Sequence, residues 1–91
     1  MSNYVLRDGV VYRKEIDGAL VYNHSTGDVT PLNATAAYMC EALFIEHLDG
    51  NAVLAGIKKR WNILDEALVR SDIERFITGM KQLELIEEKG D

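Results

Sequence analysis

The rhythm of apolar and polar residues changes near Asn33. Before it, short runs rich in Val, Tyr, Thr and Gly are broken by turn dipeptides; after it, Ala, Leu, Glu, Lys and Ile recur at helical spacing. β-Branched and aromatic residues suit a pleated, half-buried surface, whereas Ala, Leu, Glu and Lys are good helix formers. The pattern predicts a β-rich front and an α-helical back.

In the front, Val10-Val11-Tyr12-Arg13-Lys14-Glu15-Ile16 reads as a strand and Ala19-Leu20-Val21-Tyr22-Asn23 as its antiparallel return. Between them, Asp17-Gly18 suits a two-residue type I′ turn, because Gly accepts positive φ freely. That turn sets Ile16 opposite Ala19, Arg13 opposite Tyr22 and Glu15 opposite Leu20. Polar and apolar positions mix on both faces and do not select the buried one. A second turn, His24-Ser25-Thr26-Gly27, leads into Asp28-Val29-Thr30-Pro31-Leu32, which holds the only proline. Proline lacks the N–H that a ladder needs, so this third strand is expected at a sheet edge.

The back carries three helical patterns. Asn33 is placed to cap a helix from about Ala34 to His47, with Ala36, Met39 or Cys40, Leu43 and Phe44 on one face. Asp49-Gly50 stops it. Asn51 is expected to cap a short second helix with the stripe Leu54, Ile57 and Trp61. Asp65 opens the third, where Glu66 complements the helix dipole. Val69, Ile73, Phe76, Ile77, Met80 and Leu83 follow helical spacing, and at about 100° per residue they cover a wide arc, widened further by Leu68. Contact with two elements of one core accounts for such an arc. So does an apolar groove walled by Ile73 and Ile77 and flanked by Arg70, Glu74 and Lys81. Leu85-Ile86 form a short apolar segment, and Glu87 to Asp91 a solvated tail. Three strands followed by three helices make an α+β domain with the order of a winged helix-turn-helix.

Size and charge narrow the function classes. Ninety-one residues suffice for one domain, residues 1–91, and the 47% hydrophobic and 27% charged residues argue for a folded core rather than disorder. Ten basic against fifteen acidic residues give a net charge of −5, which opposes phosphate backbones and weighs against nucleic-acid partners. No apolar run has the length of a membrane span, and Met1-Ser2-Asn3-Tyr4 does not open a signal peptide, so a cytoplasmic setting without membrane partners is expected.

Candidate chemistry is sparse. The single cysteine, Cys40, falls on the apolar face of the first helix and reads as a buried thiol. His24 lies in a turn and His47 near a helix end, where a cation suits the helix dipole, and both read as structural or solvated. Asp8-Gly9 and Thr26-Gly27 are isolated turn glycines, not a phosphate loop. Glu84, Glu87 and Glu88 read as a solvated charge run, Lys58-Lys59-Arg60 as a solvated helix end, and Trp61 as core. An enzyme is not expected, nor are a metal or cofactor.

Gly18 with Val21-Tyr22, Thr26-Gly27, Leu32-Asn33-Ala34-Thr35-Ala36-Ala37, Leu48-Asp49-Gly50, Ile57, Asp72 with Phe76, and the closing Leu83, Leu85 and Ile86 occur in an order and spacing that resembles the PqqD-like family. These domains are also called recognition elements for ribosomally made, post-translationally modified peptides. The resemblance covers Gly18 to Ile86, about three quarters of the chain. Two features depart from it: the helix between Asn33 and Asp49 is about one turn longer, and Glu84 stands where the family often has Gly. The resemblance implies three antiparallel strands followed by three helices. It also implies non-catalytic binding of a precursor peptide's leader segment, presented to a modifying enzyme. In that family the leader lies along the third strand and against the third helix. Those positions here are Asp28, Val29, Thr30 and Pro31, facing Arg70, Ile73, Ile77 and Lys81, with Val29, Ile73 and Ile77 expected to supply the groove. A winged-helix DNA-binding regulator shares the element order and is the alternative; self-pairing of the exposed strand in an assembly is a third reading.

Overall fold

The computed structural model describes residues 3–89; Met1, Ser2, Gly90 and Asp91, which enter the N-terminal and tail readings above, lie outside them. Along the chain run β1 (Tyr4–Leu6), β2 (Val10–Glu15), β3 (Gly18–Asn23), β4 (Val29–Asn33), α1 (Ala34–Cys40) with a π-helical continuation (Glu41–Ile45), α2 (Gly50–Trp61), α3 (Glu66–Gln82) and β5 (Ile86–Glu88). The three expected strands are β2, β3 and β4. They form an antiparallel sheet in that order, so Pro31 does lie on an edge strand. The architecture is the anticipated α+β arrangement of a three-stranded sheet followed by three helices.

The hairpin register differs from the expected one. Arg13 pairs with Leu20, Val11 with Tyr22 and Glu15 with Gly18, so the turn residues are Ile16 and Asp17. Neither has positive φ, which rules out a type I′ turn. Gly18 serves a different need: a Cβ there would collide with the Leu32 carbonyl oxygen. The glycine lets β4 approach β3 closely instead of supplying a left-handed turn. Relative to the expected pairing, the strands slip by two residues, which changes every cross-strand partner but leaves each side chain on its face.

The side chains of Asn33 and Asp65 cap α1 and α3, accepting from the N–H of Ala36 at 2.8 Å and Leu68 at 3.1 Å. For α2 the cap is Asp49, not Asn51; its Oδ1 accepts from the Ala52 N–H at 2.8 Å. The first helix continues past Cys40 as the π-helical segment. There the Glu46 N–H reaches back to the Glu41 carbonyl, and the chain leaves the helix at His47 with φ 58°. Wider hydrogen-bonded rings break the 3.6-residue period. The buried set is therefore Ala37, Met39, Cys40, Ala42 and Phe44, with Ala36 and Leu43 only partly covered.

A second, two-stranded sheet was not anticipated. β1 pairs antiparallel with β5, with Leu6 opposite Ile86. Leu85 and Ile86 are core residues, while Glu87 and Glu88 remain exposed. Burial organises two apolar clusters. One, between the helices, contains Met39, Val53, Leu54, Ile57, Val69 and Ile73, with Trp61 packed against it and edge-on to Tyr38 at 5.7 Å. The other joins sheet to helices through Val21, Cys40, Phe44, Met80, Leu85 and Ile86. Cys40 is completely buried, and that burial, with the Glu41 charge as the smaller cause, pushes its thiol up to about 12. At neutral pH it is a packing group rather than a nucleophile.

Candidate functional site

Helix α3 contributes to both clusters. Val69, Ile73 and Met80 are buried, while Phe76 and Ile77 are half-buried and touch each cluster. The wide apolar arc therefore does serve two neighbours. It also leaves one flank facing a trough of about 560 Å³, lined by Arg70, Ile73, Glu74, Ile77, Thr78 and Lys81. All four helix positions singled out from the sequence, Arg70, Ile73, Ile77 and Lys81, stand on this one wall.

The opposite wall comes from Leu43 and Phe44 in the π-helical segment, then from Leu48 and Asp49-Gly50-Asn51 leading into α2. Asn3 and Tyr4, at the start of β1, complete the lining. The sequence reading missed Tyr4, Leu43 and Leu48 as lining residues. The signal for Leu48 was present: an apolar residue just before the helix-stopping Asp49-Gly50, outside any helical stripe. No local pattern marks Tyr4, which joins the trough through tertiary contact, as β1 pairs with β5 and packs against the π-helical segment.

The charged groups along the trough are unevenly partnered. The Arg70 guanidinium lies 4.0 Å from the Glu66 carboxylate. Lys81 instead donates from Nζ to the Tyr4 hydroxyl oxygen at 3.3 Å and sits 5.3 Å from the centre of that ring. Among the described residues Lys81 forms no ion pair with a carboxylate.

Asp28, Val29, Thr30 and Pro31 lie elsewhere: no residue of β4 lines the trough. Val29 pairs with Tyr22 and Pro31 with Leu20, whereas Thr30 pairs with the buried Val21. Directly opposite residues share a face, so the Val29 and Pro31 side chains project from the side of the sheet away from the helices. Val29 therefore cannot form a groove wall with Ile73 and Ile77. It belongs to an exposed row with Val11 and Tyr22 on the outer face. What β4 does present is an edge. The Asn23 N–H donates to the Asp28 carbonyl at 2.9 Å. Antiparallel alternation then turns Thr30 and Leu32 toward β3 and Val29, Pro31 and Asn33 outward. The outward row lacks one donor, at Pro31.

Among the described residues no group of three or more His, Cys, Asp or Glu is placed to hold a metal ion, and no helix is long and apolar enough to cross a membrane. Like Cys40, the perturbed Tyr12 serves packing. Burial, then a hydrogen bond to Glu41 at 3.2 Å, pushes the Tyr12 hydroxyl up to about 12 where it seals β2 onto α1. The trough offers a concave shape, apolar surface, two cations (Arg70 and Lys81) and two carboxylates (Asp49 and Glu74), features that suit the binding of a ligand.

No family model and no curated protein matches the chain by sequence. Solved structures do resemble it. TbiB1, solved in complex with the TbiA(beta) leader peptide, superposes with a TM-score of 0.82 at 22% identity, covering 96% of this chain and 99% of that one. A lasso peptide synthetase B1 complexed with the leader peptide also gives 0.82, at 18% identity, covering 93% of this chain and 98% of that chain. The chain has the fold of these two proteins over nearly its whole length.

Proposed function

We propose that this chain is a PqqD-like recognition element: a non-catalytic domain that binds the leader segment of a ribosomally made precursor peptide in extended form and presents it to a separate modifying enzyme. The observation that carries this reading is the apolar trough along α3, in a fold shared with proteins that were solved holding leader peptides. The DNA-binding alternative is not favoured. The chain is acidic, and in its one basic cluster Lys58 pairs with Glu66 at 4.0 Å while Arg60 covers the Tyr38 ring at 4.7 Å.

From Arg70 to Lys81 the helix rises about 16 Å, the length of roughly five extended residues. Alternate side chains of such a segment point into the trough. Burying one Leu or Phe there contributes roughly 1.5–3 kcal/mol, against ~2–5 kcal/mol for ordering a flexible leader. Two or three anchors are therefore needed before binding is useful. Backbone pairing adds only about 0.5–1.5 kcal/mol per hydrogen bond and reads no sequence. Strand addition along Asp28, Val29, Thr30 and Pro31 is the second part of the proposal, a contact separate from the trough.

The test is a calorimetric titration with the leader segment of the cognate precursor peptide. Ile77→Asp, at a half-buried position, is expected to abolish binding while the circular dichroism spectrum stays native. Val29→Pro removes one outward donor of β4 and is expected to weaken binding about threefold to tenfold. Undiminished affinity in folded Ile77→Asp would overturn the trough as the site. Undiminished affinity in Val29→Pro would remove only the strand-addition part.

A further inference from the structure

Ile73, Ile77 and Lys81 stand four residues apart on the trough wall. Four helical residues rise about 6 Å, and two residues of an extended chain advance about 6.6–6.8 Å, so the two periods nearly match. A peptide lying along α3 thus sets every second side chain against the next of these three positions. The first two positions are apolar. The third is a cation held across the end of the trough by Tyr4, through the 3.3 Å hydrogen bond and the ring beneath it.

Lys81 has no carboxylate partner among the described residues, although the protein as a whole is acidic. A phenol oxygen accepts a hydrogen bond from an ammonium without neutralising it. Arg70, near the other end, already has Glu66 beside it. Of the two cations along the trough, Lys81 is therefore the one left to a ligand, and its tether to Tyr4 reduces the entropy lost when it engages one.

We infer that the trough selects an extended segment in which two apolar side chains two residues apart are followed, after the same interval, by Asp or Glu, the carboxylate being read by Lys81. The order along the peptide is apolar, any, apolar, any, acidic in one chain direction and its reverse in the other. This rests on the peptide-binding reading above and adds to it the chemistry of the selected segment.

A displayed library of random dodecapeptides, selected on the wild-type protein and on Lys81→Glu, tests it without knowledge of the natural precursor. Lys81 is exposed, so both this variant and Lys81→Gln leave the core untouched. Wild type is expected to enrich the alternating pattern with Asp or Glu two residues from an apolar anchor. Lys81→Glu is expected to keep the anchors and replace that acid by Lys or Arg. In a selected peptide, changing the acid to its amide should weaken binding by up to about fivefold, as for a partly exposed ion pair, and this loss should disappear in Lys81→Gln. Apolar anchors with no acidic preference, or an acidic preference that Lys81→Glu leaves unchanged, overturn the inference but not the peptide-binding reading. Failure to enrich any apolar-anchored peptide overturns both.

Discussion

Glu84 ends α3 in a left-handed conformation, with φ 59°. The Leu85 N–H reaches the Met80 carbonyl at 3.0 Å and the Glu84 N–H the Lys81 carbonyl at 2.9 Å, the paired bonds of a Schellman cap. Leu85 and Met80 meet in the same buried cluster, so the cap turns the chain from α3 into β5 and fixes the end of the trough wall. A side chain at this φ costs about 1–2 kcal/mol, whereas glycine there loses about 0.5–1 kcal/mol in unfolded-chain entropy. The Glu84 ion pair with Arg7, at 3.8 Å and largely exposed, offsets little of this. Glu84→Gly is therefore expected to stabilise the fold by about 0.5–1 kcal/mol. Urea denaturation with an unchanged slope would register the gain; a loss of stability would mean that the Arg7 contact outweighs the backbone strain.

At the scale of elements, the features written in local chemistry are the ones the sequence discloses. Asn33 and Asp65 announce helix starts because a short polar side chain satisfies its own helix's free N–H groups, and Pro31 announces an edge because it cannot donate. The long periodic run of α3 discloses half of the trough. What escapes is decided by tertiary contact. Asp17-Gly18 looks like a turn, yet Gly18 is a strand residue whose missing Cβ makes room for the Leu32 carbonyl. β1 and β5, three residues each, have too short a period to read, and the π-helical segment that carries Leu43 has no local signature. This assignment of Gly18 is open to test. Gly18→Ala keeps an allowed backbone but forces β4 away, which should cost ~2 kcal/mol by analogy with overpacking. Were Gly18 only a turn glycine without positive φ, alanine would be neutral or slightly stabilising, and thermal denaturation separates the two outcomes.

For the molecule as a whole, the mode of recognition follows from how charge and apolar surface are distributed. A net charge of −5 repels polyanions at long range, and the three-residue basic cluster at the end of α2 is partly spent on Glu66 and Tyr38. The trough is locally balanced, Arg70 and Lys81 against Asp49 and Glu74, with Leu43, Phe44, Leu48, Ile73 and Ile77 along it and, among the described residues, Lys81 near Tyr4 without a carboxylate partner. On the proposed reading, binding there draws mainly on apolar burial, which salt does not screen, plus a single ion pair worth about 1 kcal/mol at most. Raising ionic strength roughly tenfold should then weaken leader binding by no more than about fivefold. It should also leave the negative heat-capacity change of apolar burial intact. A DNA-reading surface behaves in the opposite way, because each neutralised phosphate releases counterions and the salt slope rises with their number. Calorimetry of the leader at several salt concentrations and temperatures, beside the same series with duplex DNA, discriminates between them. A steep salt dependence of peptide binding would place the contact on charged surface outside the trough.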